Sequence, residues 1–153
     1  MATIEEYGSG RILRSIRLAH LALRFTGLPL AGPVLTKKLE LRMKPFAIRP
    51  IRIDEAGRII RECGRCAAGP RICQPLFPDA VLTEAVFLGD LADRMVQEKK
   101  ARPVTADQAL EVLRNYPDNP LLLSKVSGRY LEICRSAPEV CIYWEMLRNG
   151  IVV

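Results

Sequence analysis

Several things are scarce or missing in this chain, and each absence narrows its chemistry. No run of about 18 apolar residues occurs, so no membrane-spanning segment is expected. Glu5 and Glu6 come early and arginines interrupt every later apolar stretch, which argues against a signal peptide and for a cytoplasmic location. Aromatic residues are only 6% of the chain, and none is interleaved with the arginines between 11 and 24. That composition disfavours a single-strand nucleic-acid binder built on base stacking. There is one histidine, His20, in the middle of an N-terminal helical pattern, where a histidine is ordinarily a surface or interface residue. No Ser-His-Asp or Cys-His pairing is in evidence near the cysteines. No phosphate-binding glycine motif occurs, because Gly8-Ser9-Gly10 is too short and follows no strand. The carboxylates form no paired acid–base pattern. Nothing here supports an autonomous hydrolase or dehydrogenase.

What is present is a chain of 153 residues, long enough for one ordinary domain or a domain with an arm. Apolar residues are 49% and charged residues 26%, near the average for folded proteins, which argues against a fully disordered chain. The net charge of +6 is unevenly distributed. Residues 1–61 hold 12 Lys and Arg against 5 Asp and Glu, whereas residues 62–153 hold 11 against 12. We therefore expect a basic helical arm over 1–44 and a near-neutral cysteine-bearing domain over 45–153. A basic arm attracts phosphates, anionic lipid or an acidic protein surface.

The predicted fold class is α+β, mostly helical, with a small β-hairpin leading into the cysteine site. Residues 11–26 read as a helix with two apolar stripes. Ile12, Ile16, Ala19 and Leu23 form one, and Leu18, Leu21, Ala22 and Phe25 the other. A helix apolar on two sides is sandwiched between surfaces, here its own body and a partner. Gly27 and Pro29 end it, 28–34 is a turn-rich connector, and 34–44 reads as a second basic helix stopped by Pro45. The isoleucines around Asp54-Glu55-Ala56-Gly57 suggest hairpin strands near 47–53 and 58–62. Val81, Ala85, Leu88, Ala92 and Met95 suggest a helix over 80–100. Thr105 with Gln108 forms a capping box opening a helix over 106–115. Strands are expected at 121–126 and 129–133, around a Ser127-Gly128 turn. Ser136 with Glu139 reads as a second capping box, for a last helix over 137–149 that Gly150 ends.

The five cysteines carry the sharpest pattern. An odd number makes a disulfide framework unattractive and a metal or cluster site the better default. Cys63, Cys66 and Cys73 spell Cys-x2-Cys-x6-Cys, and Cys134 with Cys141 spells Cys-x6-Cys. Segments 66–73 (CAAGPRIC) and 134–141 (CRSAPEVC) share Cys-x-x-(Gly/Ala)-Pro-x-(Ile/Val)-Cys. Two loops offering two sulfurs each suit a tetrathiolate site. Proline stiffens such a loop, and Gly69 permits close backbone approach or a positive φ. Structural zinc favours Cys-x2–4-Cys knuckles on both sides, a spacing found only at 63–66. The wider spacings, with Ile72, Pro75, Leu76, Phe77, Ile133, Ile142 and Trp144 as an apolar wall, favour an iron–sulfur cluster, [4Fe-4S] first.

Cys63, Cys66 and Cys73 are the leading ligands, with Cys134 ahead of Cys141 as the fourth. The alternative quartet is 66, 73, 134 and 141, with Cys63 spare. Two simpler readings stand beside these. Buried cysteines often only pack, which suits Cys141 inside a helix. Cys63-Gly64-Arg65-Cys66 would alternatively be a redox dithiol activated by Arg65, although no thioredoxin-like pattern surrounds it. The expectation is an iron–sulfur electron-transfer or accessory subunit, docked on a larger redox-enzyme subunit through its basic N-terminal helix. The alternative is a zinc-stabilised module binding nucleic acid or protein.

Overall fold

The computed structural model describes residues 3–29, 32–81 and 84–151. Six strands make one antiparallel sheet: β1 Arg49–Ile51, β2 Cys66–Pro70, β3 Glu84–Leu88, β4 Arg102–Val104, β5 Leu121–Val126 and β6 Arg129–Arg135. Their order across the sheet is β1-β5-β6-β3-β2-β4. The central strands read as continuous apolar runs rather than alternating ones. Leu121, Leu122, Leu123 and Ser124 of β5 are all buried, as are Ala85 to Leu88 of β3. A strand buried on successive residues has both faces covered, and helices cover both faces here. Ser127 (φ 51°) and Gly128 (φ 79°) both take positive φ, as the two-residue turn joining β5 to β6 requires.

The covering helices are α1 Ile4–Ser9, α2 Ile12–Leu23, α3 Gly32–Met43, α4 Ile53–Cys63, α5 Gly89–Gln97, α6 Ala106–Arg114 and α7 Ile142–Arg148. Directly paired residues of antiparallel strands point to the same side, and neighbours along a strand alternate. Ile133 and Arg135 of β6 therefore share one face, and Glu132 and Cys134 the other. On the first face Arg135 donates to the Leu113 carbonyl of α6 at 2.6 Å, and α4 lies against α6, with Gly57 close to Leu110. On the second, Tyr7 of α1 donates to Glu132, and Leu122 with Cys134 packs against Tyr143 and Trp144 of α7.

Several expectations stand in the structure. The stripe of α2 that faces the body is Ile12, Ile16, Ala19 and Leu23, all buried. Thr105 and Gln108 make their reciprocal cap on α6. Both strands around Ser127-Gly128 form, the second extended to Arg135. Gly150 takes the left-handed conformation, φ 71°, just past α7.

Other expectations are corrected. The fold is α+β, but "mostly helical" is loose, because the six-stranded sheet is its frame. The hairpin does not exist. Its first strand survives as β1, which pairs with β5, while 53–63 is the helix α4. The isoleucines there are compatible with either element. Ile53, Ala56, Gly57 and Ile60 fall on one helical stripe, Asp54 and Glu55 favour a helix N-terminus, and Gly64 (φ 69°) closes the other end. The helix expected over 80–100 is β3 followed by α5, with 82 and 83 outside the described residues. Here pairing on both edges of β3 overrides a helical period. The last helix starts at Ile142, not 137. Ser136 is not its cap, because the Ser136 hydroxyl donates to the Pro120 carbonyl and accepts from Trp144. The helix at 4–9 was not expected, although Thr3 and Glu6 form a full capping box.

The basic segment is packed onto the body. Tyr7, Ile12 and Ile16 belong to the same core as the sheet residues. Ala19, Leu23, Leu39 and Met43 form a second core with Met146 and Ile151. The boundary drawn at residue 44 does not coincide with a break in packing.

Candidate thiolate site

Strand register decides which cysteines can meet. Cys66 of β2 is paired with Leu88 of β3, and Cys134 of β6 with Ala85. Positions 85 and 88 lie three apart on β3 and point to opposite faces. Cys66 and Cys134 are also two strand spacings apart across the sheet and three residues apart along it. At about 4.8 Å per strand and about 3.4 Å per residue, that is about 14 Å. The sheet thus divides the five cysteines into a pair and a trio.

The pair is Cys63 and Cys66. Cys63 ends α4, Gly64 reverses the chain in the left-handed conformation, and Cys66 begins β2. The Cys63 thiol faces the Arg65 carbonyl at 3.5 Å, and the Cys66 thiol the Val104 carbonyl at 3.2 Å. Burial first, then the neighbouring Cys63, pushes the Cys66 thiol up. Arg65 does not activate it, because its guanidinium is engaged by Asp90 at 3.1 Å and by Asp93.

The trio is Cys73, Cys134 and Cys141, on the opposite face. Cys73 lies in the turn after β2, Cys134 on β6, and Cys141 at the residue preceding α7. These three are close enough to influence one another's ionisation. Burial pushes the Cys73 thiol up to about 11, partly offset by the Arg71 charge. Burial raises Cys134 most, and Glu132, Cys141 and Cys73 raise it further. Cys141 is also raised by burial, against the lowering effect of the Tyr143 and Trp144 amides at the start of α7 and of Arg71. With nothing bound, all three are thiols near neutral pH.

Three buried polar residues lie beside this trio. Tyr7 is 3% exposed, Glu132 4% and Arg71 3%. The Tyr7 hydroxyl donates to Glu132 at 2.9 Å. Burial pushes Glu132 up to about 7, opposed by the Tyr7 bond and the Arg71 charge. Burial and Glu132 raise Tyr7 well above its ordinary value. Arg71 donates to the Arg135 carbonyl at 3.3 Å and to Gln74 at 3.4 Å, but its buried Nε has no partner among the described residues. Sequence reasoning missed Tyr7, Arg71 and Glu132. A faint sign of Glu132 is a lone carboxylate inside the apolar strand YLEIC. Arg71 lies inside CAAGPRIC, at the offset occupied by Glu139 in the second segment.

The apolar wall is partly as expected. Trp144 packs with Cys134 and Cys141, and Ile72 and Leu76 pack on the main core. Ile133 points to the other face. Phe77 stands edge-on to His20, with ring centroids 5.2 Å apart. His20 bridges α2 to α7 through Glu145, its Nδ1 2.5 Å from the carboxylate.

Among the described residues no group of three or more His, Cys, Asp or Glu side chains is placed to hold a metal ion. No described helix is long and apolar enough to cross a membrane. No protein-family model, curated protein or solved structure matches the chain.

Proposed function

We propose that this chain is an iron–sulfur protein that carries a [4Fe-4S] cluster on Cys73, Cys134 and Cys141 and serves as an electron-transfer or accessory subunit of a larger oxidoreductase. The reading rests on one observation: three thiols from separate chain segments lie within electrostatic reach of one another and of a buried guanidinium whose Nε–H lacks a partner among the described residues. A buried donor without a partner costs about 1–3 kcal/mol, so its retention asks for an acceptor. Thiolates and the sulfides of a cluster are such acceptors, and amides and side-chain donors to sulfur tune a cluster's potential. Single zinc needs donors at about 2.3 Å from one ion, whereas a multi-iron cluster accommodates donors further apart. Three cysteines leave one iron for another ligand, and Glu132 is the buried carboxylate beside them. Cys63 and Cys66 lie outside this centre.

Iron, zinc and acid-labile sulfide measured on anaerobically purified protein test the reading. About four irons and four sulfides per chain are expected, with a brown visible spectrum. Cys73→Ser and Cys134→Ser each lose most of the metal, and Cys63→Ser keeps it. One zinc and no iron would replace this reading with a zinc-stabilised binding module. Loss of metal in Cys63→Ser, with the fold intact by circular dichroism, would overturn the three-cysteine assignment.

A further inference from the structure

The outer stripe of α2 is left uncovered. Leu18 is 56% exposed, Leu21 50% and Phe25 47%, while the opposite stripe is fully buried. Leu28, Val34 and Leu41 are exposed as well, so six of the nine large exposed apolar residues among those described lie between 18 and 41. Concentrated exposure of this kind marks an interaction surface. Between α2 and α3 runs an open groove of about 810 Å³, with Leu18, Ala22, Leu35 and Leu39 in its lining and Lys38 and Arg42 beside them. Its one carboxylate, Glu6, is occupied by the Thr3 amide at 3.0 Å. One wall is anchored, because α2 is tied to α7 through His20–Glu145 and Thr26–Asn149.

We propose that this groove receives an acidic amphipathic helix of a partner protein. The groove is a recess between two helices of 12 residues each, about 18 Å long. That shape fits three turns of a third helix laid in by its apolar face. A lipid surface would instead need the apolar residues to project from a convex face. Charge selects the partner's other face. Residues 11–44 hold eight Lys and Arg against the single acid Glu40. This excess repels a second copy of the same surface and attracts carboxylates. The inference rests on the reading of the chain as a docked subunit, but not on which metal it carries.

The test uses the full-length protein, with its iron content measured on the same sample. The probe is a synthetic peptide of about 20 residues, helical and amphipathic, with leucines on one face and glutamates on the other. Its counterpart carries lysines in place of the glutamates. Saturable binding of the glutamate peptide is expected, at least tenfold tighter than the lysine peptide. The double variant Leu18→Glu/Leu41→Glu weakens it at least tenfold, and added salt weakens it further. Both substituted residues are exposed, so the variant keeps its fold, which circular dichroism checks. Equal binding of the two peptides, or none, overturns the proposal. So does binding to phosphatidylserine vesicles that the double variant abolishes, which would give the surface to lipid. A dimer that the double variant dissolves would give it to a second copy. Peptide binding by iron-free protein would defeat only the cluster reading, and full iron without peptide binding only this one.

Discussion

Gly69 lies between Cys66 and Cys73, and replacing it by alanine tests how β2 is held. An added Cβ would stand 2.4 Å from the Lys100 carbonyl oxygen and 2.9 Å from both the Cα and the Cβ of Ala101. An ordinary carbon–oxygen contact is nearer to about 3.3 Å, so the overlap approaches about 1 Å against backbone that no rotamer change relieves. Either β2 or the turn at 98–101 must move. That turn is itself anchored, since Lys100 reaches the Gly8 carbonyl of α1 at 2.5 Å. Overpacking typically costs about 1–3 kcal/mol, and a backbone obstacle on an anchored turn puts Gly69→Ala near the upper end, about 3 kcal/mol. At about 2–4 °C per kcal/mol for a chain of this size, Tm falls by about 6–12 °C. Urea denaturation and thermal melting, each followed by circular dichroism, measure the two quantities. Gly64→Ala is the control: its φ of 69° strains an alanine, but nothing lies within 4 Å of the added atom. It should cost about 1 kcal/mol. A Gly69→Ala loss below about 0.5 kcal/mol, or one no larger than that of Gly64→Ala, would refute the close-approach argument.

Other consequences can be checked with the same assay. Glu132 titrates near 7 in the fold against an ordinary value of 4.5, so its penalty is absent below about pH 4.5, grows between about pH 4.5 and 7, and is complete above that. The shift corresponds to about 3 kcal/mol. Glu132→Gln should thus gain up to that much relative to the parent at pH 8 and nothing at pH 4, with both proteins stripped of metal so that Glu132 has no iron to hold. Parallel stability–pH curves would sink the assignment. Tyr7→Phe leaves Glu132 buried without its donor and should cost about 1–3 kcal/mol, while Tyr116→Phe, on an exposed ring, should cost almost nothing. Deleting residues 1–44 strips Tyr7, Ile12 and Ile16 from the main core, and cooperative unfolding should be lost. A truncated chain that melts cooperatively would show the basic segment to be separable. Asp90 is held below the usual carboxylate range by Arg129 and then Arg65. The stabilisation from its ionised form is present above the ordinary aspartate value and lost as pH falls through the depressed one, so Asp90→Asn should flatten only the acid limb of the curve.

Much of the local structure was legible in the residues. The buried stripe of α2, the capping box of α6, the β5–β6 turn and the left-handed Gly150 each follow from side chains within a few positions of one another. The exposed second stripe of α2 was legible for the same reason, since helical period alone puts Leu18 and Leu21 opposite Ile12 and Ile16. The sequence marks Gly69 as a place of close approach, but the approaching backbone at Lys100 is visible only in the fold. The isoleucines at 51–60 and the stripe at 81–95 misled because a short apolar run satisfies a helix or a strand equally well, and a partner strand decides.

The cysteine pattern shows the division most clearly. The repeated Cys-x6-Cys segments are a property of the sequence, and the candidate ligand types follow from them. That Cys66 and Cys134 stand on opposite faces was decided by the register of β2, β3 and β6, because a strand presents alternate residues to opposite faces and one step of register exchanges them. Tyr7 and Arg71 reached the same pocket from sequence positions 125 and 61 residues from Glu132. Their contribution exists only once the sheet is covered, since a charge or hydroxyl acquires its energetic weight from the water that packing removes.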